Sequence, residues 1–250
     1  MLNRRLVLQL GTVGVLAAGL PTARSAARSG FRAIAFDGFA IFDPRPVAAL
    51  TESLFPGNGT AIINAWRTRQ FEYQWLHAIS GHYADFLQAT DESLAFAFKQ
   101  LQLELSEENR QRLMAPYANL QVWPDVADAI KELRESGLRL AVVSNMTASM
   151  LRAGLEKAGL AEHFEAVLST DQIRSYKPDP RAYQLALDAL RLQCEQILFV
   201  AFAGWDVAGA KWFGYPTFWV NRLGAPMEVL GVAPDASGAD MRSLISFTTL

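Results

Sequence analysis

A short apolar run, Phe31-Arg32-Ala33-Ile34-Ala35-Phe36, ends at Asp37 and predicts a buried strand. The pattern then turns helical. Residues 46–55 predict a short helix, broken by Pro56-Gly57-Asn58-Gly59. Residues 60–80 predict a long one, because Ile62, Ala65, Trp66, Phe71, Trp75, Leu76 and Ile79 recur every three or four positions. Helical patterning continues through 83–88, 91–103 and 107–117, with no strand signal between 46 and 117. After that, strands and helices alternate. Strands are predicted at 138–143, 166–169, 197–202 and 216–220, and helices at 125–136, 148–159, 180–192 and 206–213. Alternation of this kind predicts an α/β fold: a Rossmann-like, doubly wound parallel sheet. The core comprises residues 28–45 and 118–250, and residues 46–117 form a helical cap inserted after the first strand.

The N-terminus follows another logic. Arg4-Arg5 precedes an apolar stretch, residues 6–20, then Pro21 and small residues through Ala26-Ala27. This is the layout of a leader peptide of the twin-arginine type, so residues 1–27 are set apart from the fold and the mature protein is expected in the periplasm. The stretch is shorter than the roughly 20 residues a spanning helix needs, and no stable membrane association is expected after processing. Half the residues are apolar, enough for a sizeable core, and the net charge of −2 comes with no basic block, so no nucleic-acid partner is expected. Cys194 is the only cysteine, which leaves no intramolecular disulfide and no cysteine-based metal site.

Chemistry gathers where predicted strands end. Asp37 follows the first strand, Ser144-Asn145 the second, and Asp206 comes soon after the fourth, with Lys177-Pro178 before a helix. Open α/β sheets place their sites at such strand ends. In this order the segments resemble those of the type II (S)-2-haloacid dehalogenases of the haloacid dehalogenase superfamily. The resemblance is carried by Ala35-Phe36-Asp37, Ala65-Trp66-Arg67, Gln70-Phe71-Glu72-Tyr73-Gln74-Trp75-Leu76 and Gly81-His82-Tyr83-Ala84-Asp85-Phe86. It continues in Val143-Ser144-Asn145, Tyr176-Lys177-Pro178-Asp179 with Tyr183, Leu198-Phe199-Val200, Trp205-Asp206, Gly209-Ala210-Lys211 and Phe213-Gly214.

The resemblance implies that Asp37 displaces halide from a small 2-haloacid and becomes an ester, which water then cleaves. It implies that Lys177 keeps Asp37 ionised, that Asp206 belongs to the catalytic group, and that Arg67 takes the leaving halide or the substrate carboxylate. Ser144 and Asn145 would grip the carboxylate, although both also suit a helix N-cap. Tyr183 could reach the site or serve the core. Phe39, Phe71, Phe86 and Trp205 match the family's apolar pocket, and each could equally be core. Arg69, two residues beyond Arg67, should point away. No metal and no cofactor are implied. A homodimer is compatible with exposed cap aromatics.

Two departures stand out. The stretch Asp37-Gly38-Phe39-Ala40-Ile41-Phe42-Asp43 is one residue short of the family pattern and lacks its threonine. Where the family carries Ser-Ser-Asn, this chain has Ala201-Phe202-Ala203. The first step keeps most of its groups, whereas the second loses those that place water. Two rival readings follow: a protein that binds a small carboxylic acid without turnover, and a phosphatase of the same superfamily. Phe39 in place of an acid, and no second acid beside Asp206, weigh against the phosphatase.

Overall fold

The computed structural model describes residues 30–249. The expected leader, residues 1–27, lies outside the described residues. The chain runs β1 (Ala33–Phe36), α1 (Gly38–Ile41), β2 (Phe42–Asp43), α2 (Arg45–Leu54), α3 (Gly59–Ser80), α4 (Phe86–Gln100), α5 (Glu107–Ala118), β3 (Gln121–Val122), α6 (Val126–Glu135) and β4 (Arg139–Ser144). It continues α7 (Ala148–Lys157), β5 (Ala166–Ser169), α8 (Pro180–Leu190), β6 (Ile197–Ala201), α9 (Gly204–Phe213), β7 (Thr217–Val220), β8 (Ala236–Gly238) and α10 (Met241–Thr248).

Six strands form one parallel sheet in the order β5-β4-β1-β6-β7-β8. After β1 the chain adds β4 and β5 on one side, then returns to add β6, β7 and β8 on the other. β1 is thus the point where strand order reverses, and the crevice beyond its end is where such sheets bind ligands. Phe36 pairs with both Val142 and Val200, so β1 ends between β4, which runs on to Ser144, and β6, which runs on to Ala201.

Alternation along these strands builds two cores. Ile34, Phe36, Leu140, Val142, Leu198 and Val200 pack into one layer. Ala33, Ala35, Ala141, Val143, Ile197 and Phe199 pack into the other. Each strand is covered on both faces, which is why it reads as a continuous apolar run.

The helical insertion differs from the sequence expectation in one place. The patterns at 83–88 and 91–103 belong largely to one helix, α4, because the Asp85 carboxylate accepts the Gln88 amide N–H at 2.8 Å and starts the helix there. The two ends of the insertion are tied by β2 and β3, an antiparallel pair of two-residue strands too short to leave a periodic signal. β8 and α10 extend the core past the last strand expected. Met241, Leu244 and Phe247 recur every third residue and bury against the sheet. β8 reads Ala-Ser-Gly and has none of the branched residues that mark a strand. Among the described residues no helix is long and apolar enough to cross a membrane.

Candidate active site

A cavity of about 430 Å³ opens beyond the ends of β1, β4 and β6, between the sheet and the helical insertion. Asp37 stands on its floor. The backbone N–H of Asp37 donates to Val200 O at 2.9 Å, continuing the sheet one residue past β1. One carboxylate oxygen accepts the Phe39 N–H at 3.2 Å, so Asp37 caps α1. That short helix occupies the turn in which the threonine is missing. Gly38 makes the turn possible: a Cβ there would stand 2.5 Å from Ser144 Oγ, leaving no room between the β1 and β4 ends.

Lys177 sits at the centre of the charged group and is fully buried. Its ammonium donates to Asp37 Oδ1 at 2.7 Å and to Asp206 Oδ2 at 2.6 Å. Burial opposes a charged lysine, but Asp206 and Asp37 outweigh it and hold the Lys177 pKa above its ordinary value. Burial likewise raises the Asp206 carboxyl to about 6, although Lys177 pulls the other way. Asp206 is not among the cavity-lining residues.

Tyr183 is corrected from a substrate-contacting position to one behind the charged group. It is fully buried and does not line the cavity, and its hydroxyl donates to Asp206 Oδ1 at 2.7 Å. Gly209 allows this approach, because a Cβ there would overlap the Tyr183 hydroxyl. Tyr183 belongs to both the core and the site, as a positioning residue for Asp206.

Ser144 and Asn145 do not cap the helix that follows. Thr147 does, accepting the Met150 N–H at 3.3 Å. Ser144 Oγ accepts the Met146 N–H at 3.1 Å and lines the cavity. Asn145 Oδ1 accepts the backbone N–H of Lys177 at 2.9 Å, and Asn145 Nδ2 donates to Gln74 Oε1 at 3.1 Å. Asn145 thereby joins the lysine loop to α3. A second link runs the same way, from Trp75 Nε1 to Lys177 O at 3.0 Å.

The cavity walls are aromatic. Phe71 and Trp205 meet edge to face at 5.3 Å, and Phe39 lies 6.4 Å from Phe86 and 6.1 Å from Phe202. All four predicted pocket residues, Phe39, Phe71, Phe86 and Trp205, line the cavity. Arg67 lines it from the exposed side and enters no ion pair among the described residues. Arg69 faces elsewhere: it pairs with Glu72 at 2.9 Å and lies over the Phe96 ring at 3.8 Å.

Gln70, Gln74, Tyr117 and Phe202 also line the cavity and were not predicted as site residues. The glutamines left a readable trace. Trp66, Gln70 and Gln74 recur every fourth residue on the buried face of α3, where a polar residue is unexpected unless something pairs with it. Among the described residues no group of three or more His, Cys, Asp or Glu side chains gathers in metal-binding proximity.

A lysine between two aspartates at the reversal point of a parallel sheet, under a helical insertion, defines a hydrolase of the haloacid dehalogenase type. The model of the haloacid dehalogenase-like hydrolases matches residues 14–214, and the chain belongs to that family. It is 39% identical over 215 residues to the (S)-2-haloacid dehalogenase of Pseudomonas sp. (strain YL), covering 86% of this chain and 93% of the relative. Among solved structures, an L-2-haloacid dehalogenase is similar with a TM-score of 0.86 and 42% identity, covering 89% of this chain and all of the other. The L-2-haloacid dehalogenase of Xanthobacter autotrophicus with chloropropionic acid covalently bound has a TM-score of 0.79 and 34% identity, covering 88% and 98%.

Proposed function

We propose that the protein hydrolyses the carbon–halogen bond of small 2-haloalkanoic acids through an ester on Asp37. The observation that carries this reading is the Lys177 ammonium held between Asp37 and Asp206 on the floor of an aromatic cavity. A carboxylate held by a fixed cation among aromatic walls is placed to act as a nucleophile.

In the first step an Asp37 oxygen bonds to C2 of the acid as the carbon–halogen bond breaks, and halide leaves with the electron pair. Arg67 faces the cavity with no ion-pair partner among the described residues and meets either the halide or the carboxylate. In the second step water adds to the ester carbonyl, the acyl–oxygen bond breaks, and a 2-hydroxy acid leaves. One proton of the water passes to a base and one ends on the product hydroxyl. Alkylation removes the charge of Asp37, so Lys177 then answers to Asp206 alone. The Asp37 charge helps raise the Asp206 carboxyl, so esterification lowers the Asp206 pKa again and leaves a carboxylate that can serve as the base. It is sealed behind Lys177, and Ala201 and Ala203 offer no hydroxyl or amide to place water. Ester hydrolysis is therefore the slow step.

The test is chloride release from L-2-chloropropionate by the mature protein, with mass spectrometry of the protein during turnover. Chloride release with an adduct on Asp37 is expected. Carboxylate binding with no adduct and no chloride would replace this reading with that of a binding protein.

Two further expectations accompany it. Arg4-Arg5 and the apolar residues 6–20 support export to the periplasm by the twin-arginine route, which Arg4→Lys with Arg5→Lys should block in a fractionation experiment. Leu76 and Ile79 are exposed on α3 and support a homodimer, checked by light scattering on eluted protein.

A further inference from the structure

Two cavity-lining residues carry a buried donor without a partner among the described residues, Trp205 Nε1 and Gln74 Nε2, and the second is an amide held in a fixed orientation. Gln74 on α3 is fully buried and lines the cavity, and its Nε2 has no hydrogen-bond partner among the described residues. Buried amides of this kind are normally paired, and leaving one unpaired is unfavourable. Gln70, one turn earlier, is different: its Nε2 donates to Thr90 Oγ1.

The orientation of the Gln74 amide follows from a chain of bonds that begins at a backbone group. The Lys177 N–H can only donate, so the Asn145 atom facing it is the oxygen, Oδ1. The other end of that amide is Nδ2, which can only donate, so the Gln74 atom facing it is Oε1. Nε2 is therefore the end of Gln74 left free. Asn145, itself a lining residue, accepts from the Lys177 N–H and, at 3.5 Å, from Thr170 Oγ1, and these bonds fix the amide whose one N–H holds Gln74.

We propose that Gln74 Nε2 donates to the carboxylate of the bound acid, beside Ser144, and that Asn145 is a positioning residue for Gln74. This rests on the reading of the cavity as a site for small 2-haloacids. A neutral amide suits the role. It supplies directed N–H groups to a carboxylate without adding a further cation, beyond Lys177 and Arg67, that would compete for Asp37.

The test uses the full-length mature protein with Gln74→Leu and Gln74→Met, which remove the donor at similar volume, and Gln74→Glu, which replaces it with an acceptor. Propionate and L-lactate, which carry no halogen, are titrated by calorimetry, and kcat and KM are measured with L-2-chloropropionate. Gln74→Leu and Gln74→Met should weaken propionate binding and raise KM about 10-fold or more, with kcat changed less than about threefold. Gln74→Glu should weaken binding further, and inhibition by added chloride should stay as in the wild type. Asn145→Ala should reproduce the KM effect through the lost orientation of Gln74. The proposal is overturned if both apolar variants bind propionate as the wild type does. It is also overturned if chloride inhibition is lost instead, or if kcat and thermal stability fall with unchanged carboxylate affinity. A wild type that binds propionate but releases no chloride would sink the Asp37 reading and leave Gln74 standing. A wild type that releases chloride with unchanged KM in the Gln74 variants would do the reverse.

Discussion

The ends of β1 and β6 lie side by side in the sheet, yet they are built in opposite ways. Beyond β1 stands Asp37, lining the cavity, with its neighbour Gly38 fitted against Ser144. Beyond β6 come Ala201, Phe202 and Ala203, and the carboxylate that follows, Asp206, is sealed behind Lys177 and Tyr183. The difference maps onto the two steps of the proposed reaction. Displacement of halide needs a fixed nucleophile, a cation and an anion acceptor, all of which face the cavity. Hydrolysis needs a positioned water, and the β6 end itself, Ala201-Phe202-Ala203, supplies no polar side chain for it.

The most severe break in this contrast is Asp37→Asn, which removes the nucleophile and should lower chloride release on the order of 10⁴-fold or more, with no protein adduct by mass spectrometry. Next, Lys177→Met leaves two buried carboxylates without their cation. It should cost about 3–5 kcal/mol of stability in urea unfolding and abolish turnover in the protein that remains folded. Ala203→Asn returns a water-positioning amide to the β6 side. It should speed ester hydrolysis by up to about 10²-fold, read as a shorter-lived adduct after rapid mixing. An Ala203→Asn adduct as long-lived as that of the wild type would mean that the apolar β6 end does not limit the second step.

Acid should separate the two ends further. Burial raises the Asp206 carboxyl to about 6 with Asp37 ionised, and the Asp37 charge adds to that rise, so in the ester the basic form of Asp206 is lost as pH falls through a value below about 6. Steady-state chloride release should then drop about tenfold per pH unit below that value. The smallest effect is expected from Tyr183→Phe. The Tyr183 hydrogen bond favours the ionised form of Asp206, so its removal should move the acid limb of the rate profile upward by less than about one pH unit.

Much of this architecture was legible in the sequence because it rests on short-range rules. Buried parallel strands read as apolar runs, and β1, β4 and β6 were placed to within a residue or two. The long α3 followed from its recurring apolar positions, and Asp37 and Ser144-Asn145 were placed at strand ends for the same reason. Elements with little local signal were missed: the two-residue β2–β3 pair and the small-residue β8. Tyr183 had two open readings, since its position on α8 says nothing about whether its hydroxyl meets the cavity or the back of Asp206.

What the chain determined by itself was the order of strands and helices, the helical insertion and the kinds of side chain at each strand end. Periodicity and turn chemistry act over a few residues, so these features survive being read one segment at a time. What only the tertiary structure decided was which of those side chains meet. Lys177 bonds to Asp37 across 140 positions and to Asp206 across 29. Asn145 reaches Gln74 across 71. Those meetings depend on β1 lying between β4 and β6 and on α3 folding back over the strand ends. A buried lysine can be satisfied only by the acceptors that the assembled sheet brings within reach, and a buried glutamine is left with a free donor only where no other element arrives to take it.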